Sequence, residues 1–152
     1  MREILFRGKR IDNGEWLSGD LRHYRNGKVG IHNDAMRFTE IVNPETVGQY
    51  IGLKDKNGRR IYEWDIVRYA EKCDYDCFIE HCEHPELYDG VVPKDYLERA
   101  VIKYGIEYDY PAFDIEPNEF ETNGLSWIAN DADWVIEVIG NIHDNGELIH
   151  EK

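Results

Sequence analysis

Gly48–Tyr69 reads GQYIGLKDKNGRRIYEWDIVRY, a dense run of turn chemistry between two strand-like segments. Asp55-Lys56-Asn57-Gly58 predicts a tight hairpin turn, because Asn-Gly supplies the positive-φ positions that such a turn needs. Asp65-Ile66-Val67-Arg68-Tyr69 then alternates its side chains in a β-branched run, the mark of a strand in a small barrel or sheet. The stretch speaks for a fold rather than for an activity. None of its residues has an evident reason to perform chemistry.

Upstream, Glu3–Lys9 reads as a strand and Asp12-Asn13-Gly14 as a turn, with Glu15–Leu21 returning. Arg25-Asn26-Gly27 turns the chain again into Lys28–His32, so residues 2–32 are expected to form a β-meander. Arg37–Val42 and Gln49–Leu53 are further strands, separated by Asn43–Val47, which resembles one helical turn with Pro44 just inside its start. Downstream, residues 70–97 hold all three cysteines, two prolines and little periodicity, and read as a long insertion. Lys94–Ala100 could begin a helix, whereas Ala100–Tyr104 reads as a strand. Ile106–Phe113 would follow as an edge strand, on the argument of Pro111. Glu116–Asn123 is polar and reads as loop, Ser126–Ala129 and Trp134–Ile139 are apolar, and Asp144–Ile149 is a turn with a short apolar hook. No repeat and no βαβ alternation is present, which argues against doubly wound and α/β-barrel enzymes.

The fold expected is therefore mainly β, a β-rich α+β chain. An N-terminal β-meander subdomain over 1–53 would precede a small, partly open SH3-like barrel over 54–152, with the insertion at about 70–97. The expected core is Ile4, Phe6, Trp16, Ile61, Ile66, Val67, Ile136, Val138 and Ile142.

At 152 residues the chain fits one domain or two small subdomains. A chain of this size buries roughly 70% of its unfolded surface, so it needs neither disulfide nor metal to fold. There is no apolar run of about 18 residues and no signal-peptide centre at Met1–Arg7. Three cysteines agree with a reducing compartment, and a cytoplasmic location away from membranes is expected. Net charge is −13 and is unevenly placed: residues 1–70 carry 13 Lys/Arg against 10 Asp/Glu, and residues 71–152 carry 5 against 21. The acidic half should repel phosphate backbones. Direct nucleic-acid binding is not expected unless Arg7, Lys9, Arg10, Arg22, Arg25 and Lys28 form a patch of their own.

Several short pieces carry a resemblance. Arg2–Lys9 opens the chain, and Thr46-Val47-Gly48-Gln49-Tyr50 leads into Gly52-Leu53-Lys54-Asp55 and Gly58. Ile61-Tyr62-Glu63 and Asp65-Ile66-Val67 follow, and Val138-Ile139-Gly140-Asn141-Ile142 closes the pattern. Together, over roughly residues 2–69 and 134–149, these resemble the YopX family of small bacteriophage and prophage proteins. Trp64 departs from the pattern, standing where the family usually has Gly, a residue that often supplies an unusual backbone angle. The resemblance implies a mainly β fold with barrel-like packing and a phage origin. It implies no known catalytic activity and no functional residues.

The strongest chemical candidates are Cys73, Cys77, His81, Cys82 and His84, as zinc ligands. Their spacing matches no zinc finger or ribbon, and the bland reading is a loop with incidental thiols, so no metal is expected. Asn130-Asp131-Ala132-Asp133 lacks the Gly and the distant Glu of a calcium loop. Glu107, Asp109 and Asp114 read as a solvated acidic face more readily than as an acid–base pair. No nucleophile elbow or phosphate loop is present, and His23 and His32 read as surface or core histidines. Ten tyrosines and four tryptophans suit sheet packing and interfaces, so a homo-oligomer is expected, through the less charged N-terminal part or by pairing the basic half of one chain with the acidic half of another, with an apolar contact favoured. The functional expectation is a non-enzymatic phage accessory protein that binds a protein partner not yet identified, with no cofactor. The alternatives are a metal-binding protein using the Cys/His insertion, and an acidic nucleic-acid mimic that inhibits a host DNA-binding protein.

Overall fold

Strands outweigh helices in the computed structural model of the chain, as the β-branched runs predict. It describes residues 3–71, 98–105, 112–118, 120, 122–131 and 134–150. The chain divides into two units: residues 1–53 with 60–63, and residues 54–59 with 64–152.

The first unit is built on turns. Strands β1 (Phe6–Lys9), β2 (Trp16–His23), β3 (Val29–Asn33) and β4 (Phe38–Val42) form the expected antiparallel meander. Asn33 sets the β3–β4 turn: its Oδ1 accepts from the N–H groups of Ala35 and Met36. Asn43 then caps a 3-10 turn at Pro44–Thr46, with Pro44 at its start as the sequence suggests. Strand β5 (Gly48–Lys54) returns beside β1, and β6 (Arg60–Tyr62) completes a six-stranded sheet in the order β4-β3-β2-β1-β5-β6. The sheet curls, because Arg10 bridges to Val42 and the Ile11 N–H donates to the Ile41 carbonyl. Gly19 permits this, since a Cβ there would strike the His32 carbonyl. Leu17, Val29, Ile31 and Val42 fill the inside of the curl, with Phe6, Leu21 and Val47 against them.

The turn at 55–58 is a hairpin connection between β5 and β6, with one positive φ rather than two. Gly58 has φ +77° and Asn57 does not leave the negative-φ range. Asp55 does the rest: its Oδ1 accepts from the N–H groups of Asn57 and Arg59, both at 2.9 Å.

The second unit is an open four-stranded antiparallel sheet, in keeping with the partly open packing expected there. Its order is β10-β7-β8-β9, with β7 at Asp65–Glu71, β8 at Glu98–Gly105, β9 at Ala112–Glu116 and β10 at Trp134–Asn141. Strand β7 is central: Ile66 and Val67 point to opposite faces and both are fully buried. Helix α1 (Gly124–Asn130) packs on β9 and β10 and buries Leu125 and Ile128. A short helix α2 (Ile142–Asn145) and a 3-10 turn (Gly146–Ile149) end the unit.

Some expectations need correction. Ile4 is 59% exposed, because pairing of the first strand begins only at Phe6. Phe6, Trp16, Ile136 and Ile142 are half-buried, while Ile61, Ile66, Val67 and Val138 are in the core. The strand reading prevails at 98–104, where cross-strand pairing with β7 overrides the local helical start. Ser126–Ala129 is helical, since Asn123 caps Ser126. The edge strand β9 lies later than expected; Pro111 and residues 106–110 fall outside the described residues.

Candidate functional site

Surfaces, rather than a cleft, carry the informative side chains. In the first unit the β2–β3 turn holds Arg22, His23, Tyr24, Arg25 and Lys28, all exposed. Its backbone is fixed by three bonds: Tyr24 N–H to the Lys28 carbonyl (3.0 Å), Gly27 N–H to the Tyr24 carbonyl (3.0 Å), and Lys28 N–H to Asn26 Oδ1 (3.1 Å). At the start of β4, Met36 and Phe38 are large apolar side chains left in water, at 52% and 41% exposure, while Ile11, 63% exposed, bonds Ile41 near the other end of the strand.

Elsewhere on the same sheet lies a cation–aromatic cluster. The Arg7 guanidinium sits 4.9 Å from the Trp16 ring and 4.8 Å from the Tyr62 ring. Lys9 reaches the other part of Trp16, and Arg60 approaches Tyr50 while pairing with Glu3 at 2.8 Å. Registration makes this cluster: Lys9 faces Trp16 and Arg7 faces Ser18 across β1–β2. Burial pushes the Tyr62 hydroxyl above its ordinary value, against the pull of Arg60, Ser18 and Arg7. Tyr50 and Tyr62 are themselves buried, so the cluster packs the sheet and offers no open stacking platform.

Of the basic residues singled out in the sequence, Arg7 and Lys9 belong to that cluster, and Arg22, Arg25 and Lys28 to the turn. Arg10 is apart from both. It binds Asp12 through two hydrogen bonds at 2.9 and 2.6 Å and pairs with Glu40, so the Asp12 carboxyl is held below its usual range by that bonding. No single basic patch forms from the six.

The second unit has a polar clamp that the sequence reading missed. Asp55 is buried, and its Oδ2 accepts from the Val138 N–H at 3.1 Å while the Lys56 N–H donates to the Ile136 carbonyl. The hairpin tip thus covers the outer edge of β10. Beneath it Glu137 binds Arg68 (Nε to Oε2, 2.7 Å) and Lys56 (3.4 Å). Burial raises the Glu137 carboxyl, but the bond and charge of Arg68, helped by Lys56, outweigh it and hold it below its ordinary value. The available signal was an Asp opening the Asp-Lys-Asn-Gly turn, which favours side-chain bonding to the turn backbone.

Asp114 is likewise a structural group: Oδ1 accepts from the Ile115 and Leu125 N–H groups and Oδ2 from Asn118. Three of its acceptor positions thus serve the fold, and Glu107 and Asp109 lie outside the described residues. Cys73, Cys77, His81, Cys82 and His84 lie outside them too, as do Ala132 and Asp133. Among the described residues no group of three or more His, Cys, Asp or Glu is placed to hold a metal. Nor, among them, is any helix long and apolar enough to cross a membrane. His32 bonds Thr39 at 3.0 Å and approaches Asp34, and His23 is exposed at the end of β2.

The comparisons with known proteins agree with the fold. The crystal structure of protein EF1440 from Enterococcus faecalis is similar to this one, with a TM-score of 0.52 and 22% identity, over 98% of this chain and 99% of that one. At that identity the likeness concerns the fold alone. No curated protein sequence matches the chain. The family model described as YopX protein matches residues 5–150, and so runs through the middle of the chain as well as the ends that resemble it by eye. On that match, the chain belongs to the YopX family.

Proposed function

We propose that this chain is a non-enzymatic accessory protein of a phage or prophage, and that it acts in the cytoplasm by binding a protein partner. The observation that carries the reading is the pair of large exposed apolar side chains at the start of β4, Met36 and Phe38. Large apolar side chains grouped at the surface mark interaction sites more often than catalytic ones, and Met and Phe are enriched at interfaces. The turn that carries Met36 into β4 is fixed by Asn33, whose Oδ1 accepts from the Ala35 and Met36 N–H groups. The polar side chains that sequence reading offers for chemistry and that the structure describes are engaged in capping and edge covering, as with Asp114.

The experiment is affinity capture from bacterial lysate with the wild-type chain and a Met36→Ser/Phe38→Ser variant, each verified as folded by circular dichroism. A protein retained stoichiometrically by the wild type and lost from the variant supports the reading. Equal capture by both, or capture by neither, overturns it.

A further inference from the structure

The sheet of the first unit has an edge that the chain begins to pair and then leaves. Arg10 bridges to Val42, the Ile11 N–H donates to the Ile41 carbonyl, and the Asn43 N–H donates to the Lys9 carbonyl. Ile41 and Asn43 therefore turn backbone groups outward, away from β3, and by the alternation of an antiparallel ladder so does Thr39. At Asp12-Asn13-Gly14 the chain turns back toward β2, and the pairing stops. Nothing among the described residues bonds the Thr39 N–H or carbonyl. The remaining edges are covered or short. On the second sheet the hairpin tip covers β10 and Asn123 bonds β9, while β6 is three residues long. Strand β4 also lacks the Lys or Pro that blunts many edges, and its one acid, Glu40, pairs with Arg10 at 3.5 Å.

The side chains along this edge define what fits it. Phe38 and Glu40 share the face of Ile31, whereas Thr39 lies on the opposite face, where its hydroxyl bonds His32. Phe38 and Met36 are exposed apolar groups. Arg37 between them is exposed and in no ion pair among the described residues. We infer, on the protein-partner reading, that the partner docks by adding a strand to β4. An extended segment of it pairs antiparallel with β4 in line with Ile11 and exchanges both backbone hydrogen bonds with Thr39. The segment lays an apolar side chain on Phe38 and sets a carboxylate beside Arg37.

The β4 strand of a second copy is a worse occupant. Paired antiparallel about Thr39, it would bring its Arg37 opposite Ile41, a place that Ile11 already holds. Paired about Phe38, it would bring two Arg37 cations together across the axis. A foreign segment meets neither obstacle, and Arg37 favours one that carries an acid.

The probe is a blocked peptide, Ser-Thr-Ile-Glu-Ser, whose Thr is to pair with Thr39, its Ile with Phe38 and its Glu with Arg37. It is titrated to millimolar concentration against the isotopically labelled full chain by NMR. In an antiparallel ladder only alternate N–H groups point to the neighbouring strand. N-methylation of the peptide's Thr therefore removes a bond to β4, and N-methylation of its Ile removes none. The expected result is a saturable shift of the Thr39 amide. Affinity should fall roughly tenfold with N-methyl-Thr or with Lys in place of Glu, and much less with N-methyl-Ile. No shift at Thr39, or equal effects of the two methylations, would overturn the inference. So would a shift of the same amide with protein concentration alone, which would mark a second copy as the occupant. Lysate capture is a separate measurement. Capture lost in the Met36→Ser/Phe38→Ser variant, with the two methylations acting alike, would sink strand addition and leave the partner reading standing. No capture, with the methylations acting as expected, would sink the partner reading and leave the edge a peptide-binding strand.

Discussion

Trp64 has φ +70°, in the left-handed region that favours glycine. It is held there by two backbone bonds, its N–H to the Ile102 carbonyl and its carbonyl from the Ile142 N–H. Trp64→Gly and Trp64→Ala both remove the ring, so their difference isolates the backbone. The glycine variant should be the more stable by about 1 kcal/mol in urea unfolding; the opposite order would mean that the turn carries no strain. Ile66 is fully buried, and Ile66→Ala should cost about 2–5 kcal/mol, while Ile4→Ala should stay within about 0.5 kcal/mol. These two isoleucines show what sequence alone can settle. Ile66 lies in a β-branched run whose both faces are covered, so hydrophobicity and burial coincide. Ile4 lies in an equally apolar run, but where pairing starts depends on the partner strands, and periodicity is silent on that. The meaning of Trp64 was legible as a departure from a glycine pattern, and the positive φ is its physical content.

At the scale of elements, the strands of the first unit were readable because Asn-Gly turns punctuate them, while α1 was not. Its seven residues are too few to show a helical period, and its existence rests on tertiary bonds. Asn123 makes one of these, donating to the Phe113 carbonyl, and caps the helix locally by accepting from the Ser126 N–H. Asn123→Ala should therefore cost about 1–2 kcal/mol by thermal or urea unfolding, through loss of a helix cap and of the cover on the β9 edge. A loss below about 0.3 kcal/mol would show the cap to be idle. Both edges of the second sheet are covered in this way, β9 by Asn123 and Asp114 and β10 by the hairpin tip. Those covers are long-range pairings of single polar side chains, which no local pattern announces. The Glu137–Arg68–Lys56 group has a pH consequence. A carboxyl depressed in the folded state adds stability above its unfolded pKa, and loses it as pH falls through the folded value. Stability should thus decline below about pH 4.5, and Arg68→Gln should flatten that decline by removing the bond that depresses Glu137. Identical acid limbs for the two proteins in urea titrations would contradict the assignment.

At the scale of the molecule, charge and exposed surface say more than any single constellation. The family, the mainly β fold and the meander were legible from turn chemistry and from short strings that resemble the YopX pattern. The candidate surfaces were legible only in part: the cations of the β2–β3 turn were named in the sequence, but their separation from Arg7, Lys9 and Arg10 is a matter of register and ion pairing. The exposure of Met36 and Phe38 was invisible, because it follows from the turn that Asn33 sets before β4 and no hydrophobic period announces it. The central claim is that the chain works by holding a protein partner at Met36 and Phe38. Hydrogen exchange of the chain, alone and with the protein that it captures from lysate, measures this most directly. The account predicts slowed exchange confined to the turn before β4 and to β4 itself, Asp34–Val42. Protection placed elsewhere, with those residues exchanging as in the free chain, would contradict it.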